Sequence, residues 1–527
     1  MKRNLKMSLS LVALSVMAST SAHAWKFIDG SSYNHTDDAG HYVTSGTVTL
    51  DLTDLVVEKT GNAWGVKVTD KAVVNATGSS LNVTATTQNG SSSALDASLV
   101  GNASLQESSH SGTINMGDKN TKTITLTATG TSATTISAMR NVNWAEPAPA
   151  FVNLKAETVV INATATGNTS GNYGVGIWVQ NNTGDVNNPS KVTIDANHTT
   201  ITTKSGYAQP DVAGEYTDIG IVAYSGGQVE ITGGLTINSR TAISTRGGSV
   251  IQVNSSGMGT VQMNGDIIFY YDGPTSGTTV DADVTVNLTG TNSYFNGNVF
   301  ISGNPQPPDG KNQVGGMVMN ISNGAQWTTT AASFTNELTL NEGRINVNSS
   351  AGEGIVVDKM SGTGGTITLA ATTDGATVQA SEFVAKETEG TMNLTVSANG
   401  ISADDITDAT AALASLASKV AVDGASKTSE IAEGDILGKI SSTIDSEGKA
   451  GAVVTETNTK QDAYQTLTAT NILAWRHDMN DLTKRMGELR DSPEGVGAWA
   501  RVYGSEQESG SQNMLTKSTS IQVGGDV

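Results

Sequence analysis

The chain has 527 residues and is acidic, with 50 Asp and Glu against 30 Lys and Arg and a formal charge of −20. This balance argues against nucleic-acid binding, because few basic side chains are present to neutralise phosphates. Aromatic residues make up only 5% and cysteine is absent, which excludes a large aromatic core, disulfides and thiolate metal sites. With 58 glycines and many β-branched residues, the chain is expected to fold mostly as β-structure.

The N-terminus has the three parts of a secretory signal. Residues 1–6 are basic, residues 9–18 are apolar, and the Ala-His-Ala sequence that ends at Ala24 fits the small-x-small cleavage rule. The apolar run is too short to span about 30 Å of hydrocarbon, which disfavours a membrane anchor. We therefore predict cleavage between Ala24 and Trp25, removal of residues 1–24 and export of the remainder.

Residues 25–400 consist of short alternating runs of apolar and small polar residues, and each run predicts a half-buried strand. Examples lie at 48–52, 124–126, 192–194, 229–231 and 284–286. Glycine pairs at 226–227, 233–234 and 247–248 predict turns with positive φ. Strands this short favour a β-solenoid of about 15 to 19 rungs, with about 20 to 25 residues in each rung. The sequence has no fixed repeat period, and a β-sandwich array is the alternative.

The composition changes after residue 400. Alanines together with Leu413 and Leu416 predict an amphipathic helix over 404–420, within a mixed and loosely packed junction at 401–460. A second helix is predicted over 461–491, because apolar residues alternate spacings of three and four along it. Its packing positions are Ile472, Trp475, Met479, Leu482, Met486 and Leu489. A coiled-coil dimer face is the alternative for this stripe.

The C-terminal residues carry a resemblance to a known family. Residues 471–476 (NILAWR), 480–490 (NDLTKRMGELR) and 497–501 (GAWAR) resemble the passenger-to-barrel junction of type V autotransporters of the pertactin/AIDA-like adhesin family. The pertactin-type segment that precedes such junctions is similar to residues 323–327, 338–345 and 362–367.

The resemblance implies both an architecture and partners. It implies a right-handed parallel β-helix passenger over 25–400, a linker helix over 461–491 inside a barrel lumen, and the first two strands of an outer-membrane β-barrel within 492–527. The Sec translocon and the outer-membrane barrel assembly machinery are the implied partners, with the passenger displayed at the cell surface.

The barrel segment also has its own sequence pattern. Trp499 and Arg501 lie in a run that alternates like a membrane strand, and residues 516–523 predict its partner across a polar turn. A complete barrel needs about 250 residues, far more than follow Gly497. A product that stops at residue 527 is therefore expected to remain in the periplasm and to be non-functional in secretion, since open strand edges have no partners in lipid.

No catalytic, cofactor-binding or metal-ligating residue is predicted. His35 and His41 flank an acidic loop, but their spacing matches no zinc motif and favours a solvated loop. Neither a Gly-Asp-Ser-Gly motif nor a Gly-x-Ser-x-Gly elbow is present. Gly174, Gly176 and the glycines of 362–365 lack the helix and lysine of a phosphate loop, so they are expected to form solenoid corners.

One cleavage reaction is implied by the resemblance alone. Some family members release the passenger when an asparagine side chain attacks the next peptide bond inside the barrel. Asn480 and Asp481 lie at the matching point of the helix motif. Without a barrel, the groups that position this attack are missing, so cleavage is expected only in a full-length form.

Two functional classes follow from the sequence. The first is an adhesin without enzymatic activity, whose outward rows of Thr, Asn and Ser bind host glycans, matrix or neighbouring cells through many weak contacts. The second is a secreted passenger with an unrecognised hydrolase site. Cell aggregation or adherence, compared with ester and peptide hydrolysis, distinguishes them.

Overall fold

The alternating runs form strands because β-branched and small polar residues suit a pleated surface with one buried side. A computed structural model describes residues 33–526 apart from 35–38, 44–45, 70, 98–110, 141–147, 170, 182–187, 208–217, 271–281, 303–314, 433, 435–436, 458–466, 469, 473–474, 476–496 and 510–513. The described chain is mainly β, with few helical residues. The predicted β class is therefore confirmed. The signal region and His35 lie outside the described residues.

Short strands make up the first part of the described chain. They are β1 (Tyr33–Asn34), β2 (Ala39–Val43), β3 (Thr47–Leu50), β4 (Leu55–Lys59), β5 (Ala63–Val68), β6 (Val73–Ala76), β7 (Ser80–Thr87), β8 (Ser91–Asp96), β9 (Thr113–Met116), β10 (Thr123–Gly130) and β11 (Ser132–Arg140).

Several strands in the next part are long enough to bend and pair in two places. The strands are β12 (Phe151–Ala165), β13 (Gly174–Asn181), β14 (Lys191–Ser205), β15 (Asp218–Tyr224), β16 (Gln228–Ile231), β17 (Gly234–Arg246), β18 (Val250–Val253), β19 (Val261–Tyr270), β20 (Ala282–Thr289), β21 (Tyr294–Asn296), β22 (Val299–Ser302), β23 (Gly315–Ser322), β24 (Gln326–Thr329), β25 (Ser333–Val347), β26 (Gly354–Thr373), β27 (Val378–Ala380), β28 (Glu382–Glu389) and β29 (Asn393–Asn399).

The described part of the 401–460 region contains a helix and four further strands. A short 3-10 turn, Ala403–Asp405, precedes helix α1 (Ala409–Ser418), and Asp408 caps α1 by accepting from the Ala411 N–H. The predicted helix over 404–420 is therefore correct in type but too long, because Ser402 caps the start of a separate 3-10 turn and Asp408 caps the start of α1 at Ala409. Strands follow at β30 (Val420–Ala421), β31 (Ser426–Ala432), β32 (Leu437–Ile444) and β33 (Val454–Thr457).

The strands form three stacks of parallel pairings. The first stack runs β3, β6, β9, β12, β14, β16, β18, β20, β23 and β25. The second runs β4, β7, β10, β12, β14, β17, β19, β21, β24, β25, β26, β29 and β31. The third runs β2, β5, β8, β11, β13, β15, β17, β19 and β22. Long strands such as β12 and β14 belong to two stacks at once.

The spacing between paired residues varies along the second stack. Ser80 and Thr123 occupy adjacent strands at a separation of 43 residues, whereas Thr328 and Asn346 do so at 18. This variation explains why the sequence has no fixed repeat period. Among the described residues of 25–400, the second stack contains twelve strands, fewer than the 15 to 19 rungs expected.

Among the described residues, one large hydrophobic core extends through the three stacks, and two small buried clusters lie beside it. On the second stack, seven successive strands each place a fully buried side chain at the same register position. These seven residues pair directly with one another from strand to strand. The residues in this inward ladder are Leu126, Ile161, Ile201, Ile237, Met263, Phe295 and Trp327. Burying each such side chain stabilises the fold by about 1.5 to 3 kcal/mol. Phe295 and Trp327 stack with ring centroids 6.1 Å apart.

The glycine pairs have two different roles. Gly226 and Gly247 have φ of 84° and 58°, as predicted for turns. Gly233 does not have a positive φ; a Cβ there would lie 2.0 Å from the Ala196 carbonyl oxygen, so close approach of the chain requires glycine. Gly174 and Gly176 lie in strand β13 and not in corners, and a Cβ on Gly176 would lie 2.5 Å from Ile201. The corner prediction is wrong at these positions.

The C-terminal segment forms a separate antiparallel pair, β34 (Gly497–Ser509) and β35 (Met514–Asp526). This confirms the predicted pairing of residues 516–523 with the strand that contains Trp499. In the preceding segment, residues 467–468, 470–472 and 475 are helical. Among the described residues, no helix is long and apolar enough to cross a lipid bilayer.

Candidate functional site

Outward side chains on the first stack form ladders of asparagine. The Asn115 amide donates to Asn75 Oδ1 at 2.9 Å, and the Asn153 amide donates to Asn115 Oδ1 at 2.8 Å. The three residues share a register position on β6, β9 and β12. Each side-chain amide supplies both a donor and an acceptor, so the ladder satisfies its own hydrogen bonds along the stack. The outward row of asparagine expected from the sequence is present here.

The second stack presents rows of threonine. Thr125 and Thr127 on β10 lie beside Val160 and Asn162 on β12, and Thr200 and Thr202 follow on β14. Their side chains are half-buried and point away from the inward ladder, because strand residues alternate between the two faces. On β10, β12 and β14 the threonines therefore lie two strand spacings apart, about 9.6 Å, with Val160 and Asn162 between them.

A groove follows the bends between the first and second stacks. We call it the corner groove; it has a volume of about 700 Å³. Lys155 Nζ lies 2.5 Å from Asp195 Oδ2, and the Thr232 hydroxyl lies 3.3 Å from Asp195 Oδ1. Met258 lies at its edge with 85% of its surface exposed. The remaining lining residues include Asp118, Lys119, Glu157, Asn197 and Ser256.

The chemistry of the corner groove is suited to polar contacts. The Lys155 and Asp195 side chains are each about half exposed, at 53% and 51%, so their ion pair is screened by water and contributes little to stability. Within the described ranges, no group of three or more His, Asp and Glu side chains is arranged to hold a metal ion. The groove therefore offers mixed charges and amides to a hydrated ligand.

Two carboxyl groups with altered acidity lie elsewhere on the stacks. Burial raises the pKa of Asp266, although the Asn298 backbone N–H and side-chain amide donate to its Oδ1 at 2.8 and 3.1 Å. Burial also raises the pKa of Asp218, against the opposing effect of Arg240, whose Nε lies 3.9 Å away. Each carboxyl group accepts a hydrogen bond from a backbone N–H: Asp218 from Arg240, and Asp266 from Asn298.

One histidine lies among the polar rows. Burial lowers the pKa of His198, which favours the neutral imidazole. His198 Nε2 and the Thr236 hydroxyl share a hydrogen bond of 2.9 Å between adjacent strands of the second stack. This contact couples the imidazole to the threonine rows.

The structure places only some of the site residues predicted from the sequence. Ile472 and Trp475 are helical and exposed, at 48% and 63%. Trp499 pairs with Gly524 and Arg501 pairs with Gln522 in the C-terminal hairpin. The other predicted positions lie outside the described residues: Ala24, Trp25, Met479, Asn480, Asp481, Leu482, Met486 and Leu489.

One face of the C-terminal hairpin carries exposed apolar side chains beside the exposed Glu506–Lys517 ion pair. Val502 lies opposite Ile521, and Ala500 lies opposite Val523. Val502, Ile521 and Val523 are 67%, 71% and 74% exposed. A two-stranded hairpin on its own is only marginally stable in water.

The sequence reading missed the corner groove and a cluster of outward aromatic residues on the third stack. Lys155 and Asp195 meet because β12 and β14 are adjacent in register, although they are 40 residues apart in the chain. Of these two features, only the aromatic cluster could have been noticed in the sequence. Trp178 and Tyr224 occupy outward strand positions at which Thr or Asn is usual in this chain. Comparison of the chain with protein-family models, with curated proteins and with solved structures finds no match.

Proposed function

We propose that this chain is an exported, non-enzymatic adhesin of the type V autotransporter kind, similar to the pertactin/AIDA-like family. In this proposal the three stacks are the three faces of a right-handed parallel β-helix passenger, and the C-terminal hairpin begins an outer-membrane barrel. The observation that carries the proposal is the continuous outward display of polar side chains over successive parallel strands, as in the Asn75, Asn115 and Asn153 ladder.

The polar rows support attachment because they offer many equivalent weak contacts. Half-buried threonines and asparagines repeat along the second stack, so that a partner with repeating hydroxyl or amide groups meets several of them at once. Multiple linked contacts raise the overall affinity without any single strong site. Host glycans, extracellular matrix and neighbouring cell surfaces are the proposed partners.

The C-terminal hairpin supports the membrane part of the proposal. Outer-membrane strands alternate between lipid-facing apolar and lumen-facing residues. The exposed Val502, Ile521 and Val523 side chains have the character of a lipid-facing band. The N-terminal signal, the Sec translocon and the barrel assembly machinery complete the proposed route to the cell surface.

Attachment by the purified full chain is the direct test. Beads coated with the chain are expected to adhere to cultured cells or to matrix proteins more than beads coated with a soluble β-protein of similar charge. Adherence should persist in moderate salt, because hydrogen bonds and not exposed ion pairs carry it. Equal adherence of the two bead types would contradict the adhesin proposal.

A hydrolase is the second candidate, and the corner groove is the feature that favours it. Its volume of about 700 Å³ is large enough for a ligand of several rings, and Asp118, Glu157 and Asp195 supply carboxylates. The same purified chain should be incubated with ester, peptide and glycoside substrates. Turnover that disappears in Glu157→Gln or Asp195→Asn would favour the hydrolase over the adhesin.

A further inference from the structure

Four aromatic side chains form a continuous row on the outer face of the third stack. We call Tyr173, Trp178, Tyr224 and Tyr270 the aromatic row. Consecutive ring centroids lie 6.5, 6.2 and 6.3 Å apart, and neighbouring planes are close to perpendicular, at 86°, 76° and 79°. The row extends from β13 to β19, a distance of about 14 Å across three strand spacings. Such a concentration is notable in a chain with only 5% aromatic residues.

The row rests on an apolar floor that is separate from the main core. Val175, Ile219 and Val222 form this floor, and Trp178 and Tyr224 pack against it. Because residues alternate along a strand, Val222 and Tyr224 point outward while Ile221 and Ala223 point into the core. The floor fixes the rings on the outside of the stack. Tyr173 remains 39% exposed, and the other three rings are half-buried.

Polar groups flank the rings at defined positions. The Trp178 indole N–H donates to Gln180 Oε1 at 3.2 Å, and the Tyr224 and Ser244 hydroxyls share a hydrogen bond of 2.8 Å. The Arg246 guanidinium lies over the Tyr224 ring, 4.3 Å from its centroid. These contacts restrict the ring rotamers, so little conformational entropy remains to be lost when a ligand binds.

We propose that the aromatic row is a binding site for an uncharged pyranoside oligosaccharide. This inference rests on the adhesin function proposed above and names a ligand class for it. The electron-rich faces of aromatic rings attract the polarised C–H groups of sugar rings, and flanking amide, hydroxyl and guanidinium groups donate to or accept from sugar hydroxyls. A ligand that is apolar on its ring faces and polar at its edges therefore matches both components of the row.

Other occupants match the row less well. A stable protein interface covers about 800 Å² on each partner, whereas this row is a narrow line of rings between polar neighbours. Anionic membrane surfaces and acidic polysaccharides are repelled by a chain of net charge −20. The neutral glycan is the occupant favoured by both shape and charge.

The test is a titration of the purified full chain with cellohexaose, chitohexaose and maltohexaose, followed by calorimetry and tryptophan fluorescence. Binding of at least one hexasaccharide is expected. Trp178→Ala should weaken it by about tenfold, because it removes a stacking surface. Tyr224→Ala should also weaken it, because Arg246 and Trp178 lose the ring against which they pack. Tyr173→Ala, at the most exposed ring, should weaken binding without affecting the fold. The matched control is Tyr294→Ala, which removes a half-buried outward tyrosine from the second stack.

Each outcome has a defined meaning. Loss of affinity in the row variants but not in Tyr294→Ala supports the inference. Absence of binding to all three hexasaccharides, or equal affinity in Tyr173→Ala and the unchanged chain, overturns it. Preferential, salt-sensitive binding of a heparin hexasaccharide also overturns it. Such binding would depend on attraction between the Arg246 charge and an acidic glycan, and not on stacking of an uncharged sugar on the rings. Bead attachment measures the adhesin proposal independently, so the two can fail separately.

Discussion

At the scale of single residues, the asparagine ladder makes one side chain responsible for two hydrogen bonds. Asn115 donates to Asn75 and accepts from Asn153. Asn115→Ala should lower the free energy of unfolding by about 1 to 3 kcal/mol, because both neighbours lose a partner in a half-buried position. Urea titration of the purified chain measures this. Thr127→Ala, another outward change on an adjacent stack, should stay within about 0.5 kcal/mol; equal losses would contradict the ladder's role.

Asp266 makes the free energy of unfolding depend on pH, and the direction of this dependence follows from the raised pKa of its carboxyl group. Its pKa is raised by burial, so the folded state binds the proton more tightly than the unfolded state does. This contribution is fully present below the ordinary Asp value of 3.8 and is lost as pH rises towards the raised folded pKa. Asp266→Asn keeps an oxygen to accept from Asn298 but cannot ionise. Relative to the unchanged chain, it should become more stable between pH 3.5 and pH 7, as measured by urea midpoints.

The control for this experiment has the opposite sign. Backbone N–H groups of Thr377 and Ala376 lower the pKa of Asp374, so its contribution is present above the ordinary Asp value and is lost as pH falls. Asp374→Asn should therefore be relatively less stable above the ordinary Asp value of 3.8 and should lose this disadvantage as pH falls below that value. Parallel behaviour of the two variants would contradict these assignments.

At the scale of elements, helix α1 closes one end of the stacks. Leu413 and Leu416 are fully buried, and α1 contacts β27, β29, β31 and β32. Leu413→Ala should lower the stability of this end of the stacks by about 2 to 5 kcal/mol, because it leaves a cavity between α1 and the strands that α1 contacts. Hydrogen exchange should reveal faster exchange in β29 and β31. Leu467→Ala, at an exposed helical leucine, is the matched control and should leave this protection unchanged.

At the scale of the whole molecule, each strand contacts mainly its neighbours in the stack, so damage should remain local. Trp327→Leu removes a fully buried ring that stacks on Phe295 and donates to the Gly297 carbonyl at 3.1 Å. It should speed hydrogen exchange in β21, β24 and β25 and leave β7 and β10 protected. Leu126→Ala should give the reverse pattern, at a cost of about 2 to 5 kcal/mol. Uniform loss of protection in either variant would contradict a nearest-neighbour fold.

The sequence predicted the strands better than their arrangement. Alternation identified the strands around Val48, Leu126 and Ile194, because each has one buried face. It did not predict which strands pair, since the separation of partners in the described parallel pairs ranges from 18 to 44 residues. Gly174 and Gly176 were misplaced in corners for the same reason: their requirement for glycine comes from strands distant in the chain. The aromatic row depends on this pairing as well.

The variable separation of paired residues has a consequence for how such a chain can change. The inward ladder from Leu126 to Trp327 keeps its register although the intervening segments differ widely in length. Insertions at the bends therefore leave the core intact, so the outer contour can diversify while the interior is conserved. A scaffold with this property can change its outer surface without a change in the residues of its buried ladder.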